Sequence, residues 1–240
     1  MKKIAFIFII IAGVLWGTSG IFVHLLSPYG FSALQMIFLR SAVSFLIMVI
    51  YVLVRDKRLL KICRKELFWF IGSGAALFGT ASCYYASMMA TSVSTAVVLM
   101  YTAPILVMIY SVAFLGEKLT KLKVVSILGM LSGCVLVSGI IGKAKFNVWG
   151  IVLGIMSGVS YSVYTILVKI EMRRRSNPIS ASLYCYLFAA VFSFFVCRPG
   201  ELTGLAAQNL PVTLPLILGL GICTCVLPYF LYTLALRHLT

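Results

Sequence analysis

The sequence predicts an all-α integral membrane protein built from two inverted five-helix repeats. Three observations lead to this fold class. The composition is 62% hydrophobic and 10% charged, whereas soluble globular domains are about 45–50% apolar and about 25% charged. The few charges alternate between successive loops, and the two halves of the chain resemble each other. A soluble enzyme of this length would need more charge to cover its surface.

Long apolar runs lie between the charge clusters, and each is close to the roughly 17–25 residues that a helix needs to cross a bilayer. The chain contains eight such runs. They are Ile4–Leu26, Phe31–Val54, Leu67–Met89, Thr95–Leu115, Val124–Ile141, Val148–Val168, Ile179–Cys197 and Leu214–Leu236. The first run resembles a signal peptide, but it has no clear small-x-small cleavage site, so we interpret it as a retained helix. Arg40 is the only Lys, Arg, Asp or Glu residue inside any of these runs.

The net charge of +15 reflects membrane topology. Lys and Arg concentrate in the loops that share a side with the N-terminus, and only Lys143, Lys145 and Arg198 fall on the other side. This asymmetry follows the positive-inside rule and predicts a cytoplasmic N-terminus. It also argues against a nucleic-acid partner, because the positive charge needs no further ligand. The cysteines are scattered without metal-ligand spacing, so we expect no metal and no cofactor.

Trp16 and Arg40 are the candidate functional residues of the first two spans. Trp16 lies too deep for the aromatic belt at the membrane surface, so it lines a cavity or packs in the core. Arg40 lies nine residues after Phe31, about 14 Å at the rise of a helix, which is near the middle of the bilayer. A central arginine costs about 2.5–3.5 kcal/mol to insert, so we expect it to face the bundle or a wet cavity. There it orients an anionic ligand or braces the backbone.

The third and fourth spans supply polar-tipped aromatic residues and a proline. Residues 67–116 carry no charge and include Tyr84, Tyr85 and Tyr101. Pro104 predicts a kink in the fourth span, because a proline frees the backbone carbonyl one turn before it. Such a kinked helix either borders a cavity or is merely tolerated by its neighbours.

The fourth span is expected to end at Gly116, a residue type that suits a helix C-terminus. Glu117 follows, shortly before Thr120, a candidate N-cap of the next span. A carboxylate there meets the positive end of that helix dipole, and this structural reading outweighs a proton-relay role. In the fifth span, Gly129 and Gly133 have the Gly-x-x-x-Gly spacing of a helix-packing face.

The chain repeats itself at an offset of about 147 residues, and fixed-offset self-similarity indicates duplication. Gly13–Trp16 matches Gly158–Tyr161, and Gly72–Gly74 matches Gly219–Gly221. The first repeat, 1–142, holds five spans, so the second repeat, 148–240, starts from the opposite membrane face. Inverted repeats of this kind are typical of transporters. The second repeat stops after about three spans, and we expect two further helices in the intact protein.

These residues resemble the EamA-type members of the drug/metabolite transporter superfamily. The likeness rests on short motifs in each span and extends over the whole length. They are Trp16-Gly17-Thr18, Leu39-Arg40, Tyr85 with Ala90-Thr91-Ser92, Tyr101-x-x-Pro104, Leu115-Gly116-Glu117-Lys118, Gly129-x-x-x-Gly133, Ser160–Tyr164 and Tyr232–Leu236. The resemblance implies ten transmembrane helices, a central cavity lined by the first four helices of each repeat, and movement of small metabolites, commonly amino acid export. It also implies a bacterial plasma membrane. Tyr161 stands where the family usually has a tryptophan.

The leading hypothesis is a secondary transporter that exports amino acids or related compounds by alternating access. The predicted substrate-binding residues are Trp16, Arg40, Tyr84, Tyr85, Tyr101, Tyr161 and Tyr164, and the predicted structural or gating residues are Pro104, Gly116 and Glu117. Without a carboxylate inside a span, facilitated diffusion or exchange fits at least as well as proton antiport. The alternatives are a non-transporting or truncated membrane protein and an integral-membrane enzyme, for which no set of His, Asp and Glu assembles a catalytic site. The expected partners are the lipid bilayer and a small-molecule metabolite, and a homodimer stays open.

Overall fold

The computed structural model describes residues 2–116, 118–138, 147–174 and 177–231. In chain order, its helices are α1 (Lys2–Gly17), α2 (Ser19–Leu26), α3 (Ala33–Arg55), α4 (Arg64–Ala90), α5 (Val93–Met100), α6 (Ala103–Leu115), α7 (Lys121–Ser138), α8 (Val148–Arg173), α9 (Pro178–Phe194), α10 (Pro199–Gln208) and α11 (Leu210–Gly221). Short 3₁₀ helices follow α2 and α3 (Ser27–Tyr29 and Lys57–Leu60), and a π-helix, Ile222–Val226, continues α11. The all-α fold class is confirmed over these ranges.

Within the described residues, each of the eight predicted spans lies on one helix or on consecutive helices. Within the described ranges, six helical stretches are long and apolar enough to cross a membrane, or seven if the bent pair α9 and α10 counts as one span. The predicted fifth span, Val124–Ile141, is not among them. Its helix, α7, is described to Ser138 and begins with two lysines, Lys121 and Lys123.

The chain divides into two compact units, Met1–Phe70 with Ser176–Thr240 (unit 1) and Ile71–Arg175 (unit 2). Each unit combines segments from both predicted repeats. The division into compact units therefore does not test whether the sequence is duplicated. The repeat boundaries, 1–142 and 148–240, therefore stay a prediction.

Unit 1 has an apolar core where α2, α3, α10 and α11 meet. Its buried members are Leu26, Phe31, Met36, Cys197, Leu202, Ile217 and Leu220. Helices α3 and α11 approach closely at Gly221, where an added Cβ would lie 2.5 Å from Val43 Cγ1. The Ser44 hydroxyl donates to the Arg40 carbonyl at 2.7 Å and is 3.3 Å from the Gly221 carbonyl, so a small polar side chain joins the two backbones.

Unit 2 is held together by a stripe of glycines along the first half of α8. An added Cβ would lie 2.5 Å from Thr91 Cγ2 at Gly150, 2.5 Å from Leu99 Cδ1 at Gly154 and 2.5 Å from Thr102 Oγ1 at Gly158. The Ser87 hydroxyl on α4 also donates to the Gly150 carbonyl at 2.7 Å. Small residues let helix backbones approach, and the hydroxyl adds an interhelical hydrogen bond.

The packing face predicted at Gly129 and Gly133 has no partner among the described residues. No described atom lies within 4 Å of a Cβ added at either glycine. The four-residue spacing brings two glycines to one helix face, but it does not supply a partner helix. The close approach of small residues in unit 2 occurs on α8 instead, at glycines that the sequence analysis did not single out as a packing face.

The fourth span is two helices. Helix α5 ends before Tyr101 and α6 begins at Ala103, and the Thr102 hydroxyl donates to the Leu99 carbonyl at 2.8 Å across the break. Pro104 lies in the first turn of α6, where its missing N–H removes no helical hydrogen bond. The kink predicted from Pro104 takes the form of a two-residue interruption at Tyr101 and Thr102, and Val93–Phe114 is still one stretch long and apolar enough to cross a membrane.

Helix ends follow the local chemistry. Helix α6 closes on Gly116, whose φ of +66° is in the left-handed region that glycine adopts without strain. The Thr120 hydroxyl accepts from the Lys123 N–H at 3.3 Å and caps α7. Asn177 caps α9, with its side-chain oxygen 2.9 Å from the Ile179 N–H. Glu117 lies outside the described residues.

Candidate functional site

Unit 2 contains an open cleft of about 560 Å³ between α6, α7 and α8. Its walls combine apolar side chains with two lysines, hydroxyl-bearing residues and a tyrosine. They are Pro104, Val107, Met108, Ser111, Leu122, Lys123, Ser126, Ile127, Tyr161, Thr165 and Lys169. None of the described lining residues is acidic.

Helix α8 supplies the polar wall. Tyr161, Thr165 and Lys169 recur every four residues, which places them on one face of the helix. The Lys169 Nζ donates to the Ser111 Oγ of α6 at 3.0 Å, and Ser111 is 3% exposed. The Thr165 hydroxyl donates to the Tyr161 carbonyl at 2.8 Å. A buried hydroxyl thus fixes the Lys169 ammonium inside the cleft.

The cleft is amphipathic along its length. Lys169 and Ser111 lie near the C-terminal ends of α8 and α6, and Lys123 lies in the first turn of α7. Pro104 and Tyr161 lie about two helical turns from that end, a distance of about 10–12 Å at the rise of a helix. The cleft therefore has a cationic end where the helices terminate and a largely apolar end deeper in the span.

The structure places five of the seven predicted substrate-binding residues in unit 2. Tyr161 lines the cleft, and its ring centroid lies 6.0 Å from that of Tyr164. The rings of Tyr84 and Tyr85 are 5.7 Å apart, and Tyr85 is buried. Tyr101 follows the last turn of α5. Pro104, predicted as a gating residue, also lines the cleft.

Arg40 belongs to unit 1, on α3. Its Nε is shielded from solvent, and its charge lies within electrostatic reach of Tyr186 on α9. Cys225 of the π-helix and Tyr229 lie in the same reach of Tyr186. Next to them is an apolar cavity of about 90 Å³, lined in part by Tyr186 and Tyr229. This packed surrounding suits the bracing role that was one of the two predicted for Arg40.

Trp16 also belongs to unit 1 and is 43% exposed, at the end of α1. Trp16 is therefore not part of the buried core of unit 1. Packing in the core was the alternative to lining a cavity. Its part in substrate binding stays a prediction, as do the gating roles of Gly116 and Glu117.

Two charged residues were missed. The predicted sixth span ended at Val168, but α8 continues to Arg173, and the stretch that can cross a membrane runs over Val148–Met172. Lys169 and Glu171 therefore lie inside a span. The sequence analysis had predicted that Arg40 is the only charged residue within the spans, and this is wrong. The four-residue recurrence of polar side chains after Tyr161 is the signal that could have extended the helix.

Glu171 is 1% exposed, and both carboxylate oxygens are shielded from solvent. The Ser73 hydroxyl of α4 lies beside this carboxylate, although neither carboxylate oxygen has a hydrogen bond of normal geometry. Glu171 does not line the cleft.

Comparison with known proteins identifies the family. Residues 3–139, more than half of the chain, match the EamA-like transporter family. The chain belongs to this family. An EamA-family membrane protein with several apolar helices is a multi-pass transporter, as the sequence predicted.

Individual relatives of this chain are also named as transporters. An uncharacterized transporter of Archaeoglobus fulgidus is 27% identical over 232 residues, which cover 96% of this chain and 77% of the relative. The uncharacterized inner membrane transporter YhbE of Escherichia coli (strain K12) is 26% identical over 141 residues, covering 57% of this chain and 44% of YhbE. The alignment thus spans less than half the length of YhbE.

The fold recurs in a solved structure. A protein crystal structure superposes with a TM-score of 0.71 over 97% of this chain and 78% of that chain, at 20% sequence identity. This similarity shows a shared fold.

Proposed function

We propose that this EamA-family protein is a secondary carrier that exports small metabolites, such as amino acids or related compounds, by alternating access. The observation that carries the proposal is the cleft of unit 2, with its volume of about 560 Å³ and its mixed apolar and polar walls. Small-molecule sites typically have about 300–1,000 Å³, mostly apolar walls and a few placed polar groups. Tyr161 and Pro104, both predicted from sequence as functional, line this cleft.

Two features of unit 2 support alternating access. The break at Tyr101 and Thr102 divides the fourth span and lies just before Pro104, where the cleft begins. Broken helices are common in transporters, where they border the substrate site. The glycine stripe anchors the first half of α8, so movement of α6 at this break would change the cleft without displacing the anchored half.

The energy source is open to experiment. The sequence favoured exchange or facilitated diffusion because no span held a carboxylate, but Glu171 lies inside the span formed by α8. Intramembrane carboxylates are common proton carriers in transporters. Since Glu171 does not line the cleft, we retain exchange as the proposed mechanism and treat proton antiport as its rival.

The family supports a transporter rather than an enzyme. Among the described residues that line the cleft, none is His, Asp, Glu or Cys. An acid–base or nucleophilic mechanism would need such groups to converge there.

The proposal can be tested by metabolite release from cells. Cells that produce the protein should release at least one small metabolite faster than cells without it, and the same compound should move in proteoliposomes. Tyr161→Ala should abolish most of this flux because it removes a cleft wall. Val163→Ala is the matched control, since Val163 is on the same helix, is 44% exposed and does not line the cleft. If no compound moves in either assay, the carrier proposal is wrong.

A further inference from the structure

We propose that the connection between α3 and α4 binds the head group of an anionic phospholipid in the adjacent leaflet, and that Lys57, Arg58 and Lys61 hold its phosphate. The connection, residues 55–66, belongs to unit 1, and none of its residues lines the cleft of unit 2. The inference therefore does not depend on the proposed transport function.

The charge of the connection carries the first step. Residues 55–66 include six lysines and arginines and two acidic residues, a net charge of +4. All six basic residues are exposed. Clusters of about four to eight Lys and Arg beside a transmembrane helix are typical of anionic-lipid recognition.

The two carboxylates of the connection bind its backbone. Asp56 Oδ1 accepts a hydrogen bond from the Arg58 N–H at 2.9 Å. Glu66 Oε2 accepts one from the Cys63 N–H at 3.0 Å. Both acidic residues therefore help to shape the turn that carries the basic side chains.

Helix α9 fixes this shape from the other side. The Ser180 hydroxyl donates to the Leu59 carbonyl at 2.8 Å, and the Tyr184 hydroxyl donates to the Leu60 carbonyl at 2.7 Å. The Tyr184 ring also stacks on Phe70 of α4, with ring centroids 5.7 Å apart. The backbone between the basic residues is thereby held in one shape before a lipid binds, which lowers the ordering cost of binding.

The basic patch adjoins an apolar surface. Val54, near the end of α3, is 84% exposed, and Phe68, in the second turn of α4, is 72% exposed. Both helices are long and apolar enough to cross a membrane, so we expect these side chains to contact acyl chains. Trp69 lies edge-on to Phe68, with ring centroids 6.0 Å apart, and tryptophan is enriched at membrane interfaces. A ligand that covers both surfaces has a phosphate head and hydrocarbon tails, which favours a lipid over a soluble anion.

Topology alone would also place basic residues in this connection. The positive-inside rule requires charge, but it requires neither a fixed backbone nor a specific ligand. The experiment therefore compares this connection with other basic residues on the same predicted side of the membrane.

Trp69 can serve as a local reporter in the full chain. Replacing Trp16 and Trp149 by phenylalanine leaves it as the single tryptophan. Brominated acyl chains quench tryptophan fluorescence on contact, so vesicles of brominated phosphatidylglycerol and phosphatidylcholine give the ratio of the two binding constants at this position. We expect phosphatidylglycerol to bind at least about threefold more tightly, because each Lys or Arg near the surface favours an anionic lipid. A chain that keeps only Trp149, which is 67% exposed in the first turn of α8, is the matched reporter and should show a ratio near one.

Variants assign the preference to the patch. Replacing Lys57, Arg58 and Lys61 together by glutamine should bring the ratio at Trp69 close to one. Lys57→Arg with Lys61→Arg should keep the preference because the charge remains, and this pair keeps the test decisive if the neutral variant does not fold. Melting temperature and gel filtration show whether each variant folds.

A charge-matched control separates a site from general attraction. Lys118, Lys121 and Arg174 are exposed residues of unit 2, and replacing all three by glutamine should leave the ratio at Trp69 unchanged. Ser180→Ala with Tyr184→Phe removes the two hydroxyls that hold the connection and changes no charge, so we expect the ratio to fall.

Four results would overturn the inference. They are equal quenching by the two lipids at Trp69, a preference that survives the neutral patch variant, an equal loss in the control variant of unit 2, and an unchanged ratio when the two hydroxyls of α9 are removed. Displacement of phosphatidylglycerol by millimolar glycerol 3-phosphate would assign the patch to a soluble phosphate compound and would also contradict the proposal.

Discussion

The two halves of α8 have different surroundings. The first half carries Gly150, Gly154 and Gly158, and its backbone lies against the end of α4 and against α5. The second half carries Tyr161, Thr165 and Lys169, which line an open cleft. At 100° per residue, the directions of the two stripes around the α8 axis differ by only about 20°. The same side of α8 therefore anchors unit 2 in its first half and lines the cleft in its second half.

The first half of α8 is expected to contribute mainly to stability, and the second half mainly to substrate binding. Substitutions in the glycine half should reduce the free energy of unfolding, whereas substitutions in the cleft half should reduce transport and leave the fold intact. The four predictions below test this separation, in order of decreasing expected effect.

Gly154→Leu should have the largest effect. A Cβ alone would lie 2.5 Å from Leu99 Cδ1 and 2.9 Å from the Ser87 hydroxyl, and overpacking of this kind typically costs about 1–3 kcal/mol or more. We expect a large fall in melting temperature and in the yield of monodisperse protein. Gly129→Leu on α7 is the control, because no described atom lies within 4 Å of its added Cβ. Equal losses of stability in the two variants would show that the glycines of α8 pack no more tightly than those of α7.

Thr165→Trp should block the cleft without unfolding the protein. The larger side chain would fill space between α6 and α8, so we expect flux to fall at least about tenfold, equivalent to about 1.4 kcal/mol. Val163→Trp adds the same bulk to an exposed position outside the cleft and should keep transport. The assay is the initial rate in proteoliposomes, and similar rates for both variants would argue against a ligand in this cleft.

Ser111→Ala should have a smaller effect on binding. It removes the oxygen that holds the Lys169 ammonium at 3.0 Å, and one hydrogen bond contributes about 0.5–1.5 kcal/mol. We expect KM to rise about two- to tenfold, with little change in the maximal rate. An unchanged KM would show that Ser111 does not position Lys169 for substrate.

Glu171→Gln should have the smallest effect. Glu171 is buried on α8 but does not line the cleft, and glutamine preserves its shape. We expect similar flux from the variant and the parent protein, with and without a pH gradient. A strict gradient requirement in the parent protein that disappears in the variant would instead identify Glu171 as a proton carrier.

The helices could be predicted because long apolar runs and capping residues are local signals. Thr120 caps the helix that follows it, as predicted, and Asn177 caps α9 in the same way. Pro104 marks a discontinuity in the fourth span, although the sequence could not distinguish a kinked helix from two helices. That distinction depends on the backbone at Tyr101 and Thr102, which tertiary packing decides.

The site was predicted less completely, because hydropathy treats a charge as the end of a span. Lys169 was excluded for that reason, although it continues the helical stripe of Tyr161 and Thr165. The sequence placed the functional charge at Arg40, which the structure surrounds with α9 and the π-helix in unit 1. Glycine spacing alone also chose α7 over α8, because the spacing does not reveal which face has a neighbour.

Substrate protection of a cysteine at position 165 tests the central claim most directly. In a chain whose native cysteines are replaced by serine, Thr165→Cys and Val163→Cys would be labelled with a maleimide, with and without a compound that the protein transports. A ligand bound between α6, α7 and α8 should slow labelling at position 165 in proportion to its occupancy and leave position 163 unchanged. Equal labelling at position 165 with saturating substrate, in a variant that still transports, would contradict the claim that the cleft of unit 2 is the substrate site.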